Sequence, residues 1–247
     1  MRKAKLYKLF TISALTAMLA IGLISGIAPQ GTLKKLSLKL HTRALVDGQS
    51  ANSHGTVYYN VQDGRLVTKL DSPFDQLVVS SALGEHTTYE FETNQVMMSQ
   101  GANLSSKNSF LYTFLSGQLS DMGLRGLGYK MVESKIEDNL LVTEWVAPDD
   151  RVSIAQNVKI VSENSLPIFI GFYDQDMNIQ QKTYYTNYHP ISYMQIPLTI
   201  TEIQFISEVD SIITQRKYSD LALNSEVDEK WLNFNIPTDA KNIKMTK

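Results

Sequence analysis

The stretch GTVYYNVQDGRLVTKLDSPF, residues 55–74, decides the fold class. In its first half Val57 and Tyr59 fall on alternate positions, and in its second half Leu66 begins another alternating run. A period of two residues is that of a β-strand whose two faces differ in their surroundings. Because the turn signal Asp63-Gly64 separates the two runs, the stretch predicts an antiparallel hairpin.

The rest of the body, residues 31–247, repeats this arrangement of short turns between runs rich in β-branched and aromatic residues. The turn signals include Asp47-Gly48, Leu83-Gly84, Thr93-Asn94, Asp138-Asn139 and Glu163-Asn164. Parallel strands need crossovers of a dozen or more residues, so turns this short predict antiparallel pairing. About ten or eleven strands fit the length, and a sheet of that size curls or closes on itself. We therefore predict a mainly β domain, an incomplete antiparallel barrel with one helical insertion.

The insertion occupies residues 99–128, where the alternation stops. Asn108 and Ser109 are good helix-capping residues. Gly117 weakens the helix that follows, and later glycines end it. Apolar side chains recur at helical spacing at Phe110, Leu111, Phe114, Leu115, Leu119 and Met122. This apolar face must cover something, and two interpretations stay open: a fixed plug over one end of the sheet, or a movable lid over a ligand cavity.

The first 28 residues have the plan of an export signal. Four basic residues stand within positions 1–8, and residues 9–28 carry no charge. This order is typical of a secretory signal, although about twenty apolar residues also suffice to span a bilayer. Because Pro29 would follow a cleavage at Ala28, residues 1–28 are predicted as either a signal peptide or an uncleaved membrane anchor. Either one places the body across the membrane from the cytoplasm. The expected compartment is the periplasm of a Gram-negative-type bacterium, with the body soluble after cleavage or tethered to the inner membrane.

The net charge of −2 is the sum of two unlike parts. Four of the 23 Lys and Arg residues belong to the basic leader, and the first acidic residue is Asp47. The body after residue 28 therefore holds 19 basic and 25 acidic residues, a net charge of −6. An acidic body is a poor electrostatic match for a polyphosphate backbone. We predict that nucleic acid is not a partner.

The sequence lacks the motifs of catalysis and of cofactor binding. It has no cysteine, which excludes thiolate nucleophiles, disulfides and cysteine-ligated metals. No P-loop, dinucleotide-binding fingerprint or nucleophile elbow occurs. The histidines at positions 41, 54, 86 and 189 form none of the usual metal-binding spacings. We predict a protein that is not an enzyme and that binds no metal or cofactor.

The order of these features resembles that of the LolA family, periplasmic carriers of outer-membrane lipoproteins. The similar segments are residues 55–60 (GTVYYN), 65–74 (RLVTKLDSPF), 84–91 (GEHTTYEF), the hairpin 168–188 and a closing strand at 231–237 (WLNFNIP). The helical insertion stands at the same place in the order. Residues 33–46 depart from the family, because they read as strand where the family has a lid helix.

The resemblance implies a carrier or chaperone that binds lipoprotein acyl chains, or other lipids, in an apolar cavity under a helical lid. Inner- or outer-membrane lipoprotein-handling proteins are then the expected partners. Candidate ligand-binding residues are Phe110, Leu111, Phe114, Leu115, Leu119 and Met122 of the insertion, and Val57, Tyr59, Leu66 and Tyr89 of the strands. The alternative is a membrane-anchored lipid-binding or envelope-sensing module without a transport role.

Overall fold

The computed structural model describes residues 32–148, 155–207 and 210–243. The predicted signal or anchor segment, residues 1–28, lies outside these ranges. Within them fourteen β-strands belong to one sheet, so the mainly β prediction is confirmed, although the expected number of strands is too low. The strands are β1 (Lys35–Val46), β2 (Gln49–Asn60), β3 (Arg65–Ser72), β4 (Gln76–Ser80), β5 (Glu85–Glu90), β6 (Gln95–Gln100), β7 (Lys130–Glu137), β8 (Leu140–Val146), β9 (Asn157–Glu163), β10 (Leu166–Tyr173), β11 (Ile179–Ile191), β12 (Met194–Phe205), β13 (Ser211–Leu223) and β14 (Lys241–Asn242).

The strands form an antiparallel meander whose last long strand returns to the first. Their order in the sheet is β14-β6-β5-β4-β3-β2-β1-β13-β12-β11-β10-β9-β8-β7. β1 therefore lies at the centre, paired with β2 on one side and with β13 on the other. Every pair is antiparallel except the short one between β14 and β6. Because β14 and β7 remain separate edges, the prediction of an incomplete barrel is confirmed.

The hairpin of β2 and β3 buries side chains on both faces. On the inner face, defined as the one that carries the insertion, Val57 and Tyr59 join a core with Leu38. On the opposite, outer face, Tyr58 and Val67 belong to a second core. The alternation in the sequence thus separates two packed surfaces rather than a core from solvent.

A C-terminal segment, residues 224–243, packs on the outer face of β2–β6. The rings of Trp231 and Phe234 both contact Phe91, with centroid distances of 5.7 and 5.5 Å. In a strand, residues three apart point to opposite sides, so an extended segment would not bring both rings to Phe91. The expected closing strand at residues 231–237 is therefore wrong, and only Lys241–Asn242 add a short strand at the edge.

The insertion joins β6 and β7, which lie near opposite edges of the sheet. Within the described ranges its one α-helix, α1, spans Phe110–Leu115, and the rest consists of turns and short 3-10 segments. Ser109 caps the helix as predicted, since its Oγ accepts a hydrogen bond from the Tyr112 amide at 3.2 Å. The predicted helical stretch through Met122 is too long. Gly117 has a φ of +74°, a left-handed conformation that ends helices.

Hydrogen bonds tie the insertion to both halves of the sheet. Near its start, the Ser106 hydroxyl donates to the Gly64 carbonyl in the β2–β3 turn at 2.5 Å. At its end, the Tyr129 hydroxyl donates to the Ala155 carbonyl, just before β9, at 2.7 Å. The insertion therefore crosses the inner face as a strap that is fixed at both ends.

Candidate ligand-binding cavity

Side chains of α1 fill part of the inner face. Leu111 and Phe114 are both 0% exposed. The Phe114 ring centroid lies 5.4 Å from that of Tyr185 and 6.0 Å from that of Tyr188, both on β11. The Phe110 ring lies 4.7 Å from the ring of Tyr218 on β13. The helix thus packs directly on the strands beneath it, as a plug does.

A cavity of about 440 Å³ lies beside the start of α1. Strands on both sides of β1 provide its floor, and the insertion provides one wall. Its volume falls within the range of small-molecule binding sites. The lining residues are Leu40, Val57, Leu66, Thr68, Asn108, Ser109, Phe110, Leu111, Thr113, Met122, Ile170, Phe172, Gln181, Thr183, Tyr185, Ile200, Glu202, Arg216 and Tyr218.

Polar groups interrupt the apolar lining on β11, β12 and β13. Arg216 Nη1 lies 3.6 Å from Glu202 Oε2, and the two side chains are 37% and 30% exposed. Gln181 Nε2 donates to Thr183 Oγ1 at 3.3 Å. A partly solvated guanidinium retains donors that can meet an anionic or carbonyl group. The cavity therefore suits a ligand with a long apolar part and a polar end.

The structure divides the predicted site residues into three groups. Those that line the cavity are Val57, Leu66, Phe110, Leu111 and Met122. Those that pack in the adjoining inner core are Tyr59, Phe114, Leu115 and Leu119. Tyr89 alone lies in the core of the outer face, where its hydroxyl donates to Asn94 Oδ1 at 2.9 Å. Tyr89 is therefore not part of this cavity.

The predicted site residues include none of Tyr185, Glu202, Arg216 and Tyr218, although all four line the cavity. Tyr185, Glu202 and Arg216 lie close together because of the strand register. Ile200 of β12 lies opposite Tyr185 of β11 on one side and opposite Arg216 of β13 on the other. Alternation along β12 places Glu202 on the same face as Ile200. The alternation up to Ile200 is visible in the sequence, but its continuation through Glu202 and the register between neighbouring strands are not.

Burial shifts the ionisation of the three tyrosines under and beside α1. It raises the pKa of Tyr218 to about 12. Burial also raises the pKa values of Tyr185 and Tyr188 well above 10, with smaller contributions from Glu202 to Tyr185 and from Tyr185 to Tyr188. A buried phenol is costly to charge, so the folded state holds these protons more tightly than the unfolded chain does. Stability should therefore fall as the pH rises above 10, where the unfolded chain loses these protons first.

We expect this tyrosine cluster to appear as a late phase in an alkaline absorbance titration of tyrosinate. Tyr218→Phe should reduce the amplitude of that phase, because it removes a group whose pKa is about 12. Tyr193→Phe, at an 87% exposed position, should leave the late phase unchanged. Equal effects of the two substitutions would contradict the burial of Tyr218.

Neither a metal centre nor a membrane-spanning helix is found in the described ranges. No three His, Asp or Glu side chains there are grouped closely enough to hold a metal ion. No helix in the same ranges is long and apolar enough to cross a bilayer.

Several solved structures share this architecture. A DUF1329 family protein from Desulfovibrio piger aligns with a TM-score of 0.56 at 12% identity, covering 82% of this chain and 91% of that one. A domain from Vibrio parahaemolyticus, assigned as an outer membrane lipoprotein-sorting protein, aligns with a TM-score of 0.56 at 12% identity, covering 81% and 89%. A LolA superfamily protein from Nitrosomonas europaea aligns with a TM-score of 0.54 at 14% identity, covering 82% and 90%.

The chain has a LolA-like fold. The family resemblance in the sequence is thereby supported as a resemblance of fold. No protein-family model and no curated protein matches the chain. At 12–14% identity the LolA-like fold does not carry a ligand with it, so the ligand has to be argued from the cavity.

Proposed function

We propose that this protein is a periplasmic carrier or chaperone, not an enzyme, that holds an acyl chain of a lipoprotein or of another lipid. The observation that carries the proposal is the cavity beside α1, which is apolar along much of its floor and polar at Glu202 and Arg216. The occurrence of the same fold in a lipoprotein-sorting domain supports it. The acyl chain would lie along Leu40, Val57 and Leu66, with its polar end toward Arg216.

The volume of the cavity favours one chain at a time. At about 440 Å³ the cavity lies in the lower part of the range of about 300–1,000 Å³ that is usual for ligand sites, which favours one acyl chain over several. Further chains of a multiply acylated lipid would have to displace α1, whose Leu111 and Phe114 are fully buried.

Burial of a single acyl chain supplies part of the affinity. Each methylene removed from water contributes about 0.8 kcal/mol, so ten of them contribute about 8 kcal/mol. Association itself costs an estimated 4 kcal/mol or more. The difference, about 4 kcal/mol at most, corresponds to a dissociation constant of about 1 mM or weaker, so contacts of the polar end with the cavity have to supply the remaining affinity.

The test measures binding of a single-chain fluorescent fatty acid to the purified full chain. We expect saturable binding of one probe per protein, with enhanced probe fluorescence. Leu40→Trp adds a large ring at a half-buried position of the cavity floor. It should weaken binding at least tenfold, a change of about 1.4 kcal/mol.

Leu83→Trp is the matched control, because Leu83 is 78% exposed and does not line the cavity. It should bind the probe as the unchanged chain does. Circular dichroism of both variants checks that they fold. Absence of binding to the unchanged chain, or equal affinities of the two folded variants, would overturn the proposal.

The long uncharged segment 9–28 and Pro29 favour a second candidate, a membrane-anchored lipid-binding or envelope-sensing module. The lipid site would be the same, but the protein would not shuttle. A diffusing carrier must lose residues 1–28 and meet lipoprotein-handling proteins of the inner or outer membrane. N-terminal sequencing of the protein isolated from its envelope distinguishes the two, since only the anchored form retains its leader.

A further inference from the structure

The strand β7 is the last of the sheet, and no other described strand pairs with its outer side. Unlike most sheet edges, it exposes large apolar side chains. Ile136 is 76% exposed, Val132 63% and Met131 47%. An open edge of this length presents unpaired backbone donors and acceptors and is a template for another strand. The unpaired backbone groups and the exposed apolar side chains together favour pairing of this edge with another strand.

The sequence of β7 is complementary to itself when it is reversed about Ser134. An antiparallel copy centred there places Val132 opposite Ile136 and Glu133 opposite Lys135. Just beyond, Lys130 comes opposite Asp138. Opposite charges and apolar pairs directly across strands stabilise a sheet, whereas like charges across strands destabilise it. In this register no two like charges face each other between residues 130 and 138.

On the C-terminal side of this centre the ladder is regular. The pairing of β7 with β8 runs without a break from Glu133 to Glu137, and its register shift leaves Val132 as the extra residue between Met131 and Glu133. Lys135 already lies 3.6 Å from Glu133 and 2.9 Å from Glu137 within one chain. These charges therefore stand on one face of a regular strand, where a twofold partner would present the same pattern in reverse.

We propose that β7 pairs with β7 of a second copy of this chain, antiparallel, about a twofold axis at Ser134. Such an interface is isologous, so each contact is made twice. Glu133 would face Lys135 of the partner subunit, and Val132 would face Ile136 of the partner subunit. Pairing along one edge strand buries less area than a standard protein interface, so the dimer is weak and forms in a concentration-dependent way. The cavity lies elsewhere on the sheet, and this proposal is independent of the ligand.

The absence of cysteine allows a direct test of the axis. In Ser134→Cys of the full chain, the two new thiols belong to residues directly opposite each other. Cα atoms of such pairs lie about 4.5–5.5 Å apart, within the span of a disulfide. We expect mild oxidation to yield a covalent dimer. Ser116→Cys, an exposed position in the insertion, should remain monomeric under the same conditions.

Charge reversal provides the second test, by sedimentation velocity over a range of concentrations. Lys135→Glu should weaken the dimer at least tenfold, because four carboxylates would meet at the axis. Glu133→Lys should do the same with four ammonium groups. The double variant with both changes restores opposite charges and should recover the dimer. A chain that sediments as a monomer at all concentrations, or a double variant no better than the single ones, would overturn the proposal.

Discussion

Phe114→Ala should lower the free energy of unfolding by about 3–5 kcal/mol, the usual cost of removing a fully buried ring. Phe114 is 0% exposed and contacts the rings of Tyr185 and Tyr188. A six-residue helix has little stability of its own, so α1 depends on this packing for its existence. Urea denaturation followed by circular dichroism measures the loss.

The matched control is Phe74→Ala, because Phe74 is 60% exposed. The same chemical change there should alter stability by no more than about 0.5 kcal/mol. Amide exchange of residues 110–115 adds a second readout. If Phe114→Ala leaves stability unchanged and only speeds that exchange, α1 is a lid that opens independently of the sheet, rather than a plug on which the sheet depends.

Gly84→Ala should cost about 2–4 kcal/mol, since two unfavourable effects coincide at one residue. Gly84 has a φ of +83°, which side-chain-bearing residues rarely adopt. A Cβ there would also overlap the carbonyl oxygen of Gly101, where the insertion leaves the sheet. The hydrogen bond from the Gly101 amide to the Gly84 carbonyl, 3.0 Å long, fixes this close approach. Thermal unfolding of the variant measures the effect.

Gly48→Ala separates the two contributions. Gly48 has a similar φ of +73°, but a Cβ at this position would meet nothing within 4 Å. Its cost should therefore be that of the backbone conformation alone, about 1 kcal/mol. Equal losses of stability at the two positions would show that the backbone at Gly101 moves away from the added Cβ without strain.

Local patterns in the sequence were sufficient for the class of fold and for the side-chain parity of the first hairpin. Val57 and Tyr59 share a face, as their alternation predicted. Burial of Tyr58 on the other face was not foreseeable, because it depends on the C-terminal segment more than 160 positions away in the chain. The local sequence pattern predicts which side chains share a face of the sheet, but it does not predict which distant segment packs on that face.

The same limit applies to the cavity. Helical spacing from Phe110 to Met122 predicted a long helix, yet the backbone at Gly117 ends it after Leu115. The sequence could predict that residues of the insertion line the cavity, because apolar residues at helical spacing indicate a buried face. It could not predict Glu202 and Arg216, because their meeting depends on the alignment of β12 with β13.

The position of β1 at the centre of the sheet has a consequence for the order of folding. Leu36 pairs with Leu223, so the middle of the sheet joins two distant parts of the chain. Contacts of this kind form slowly, because a long loop must close before they contribute. During synthesis β1 emerges long before β13, and for that interval one side of the central strand stays open to aggregation. The meander of β1–β6 is then the part that can assemble first, and arrival of β13 is the event that completes the sheet.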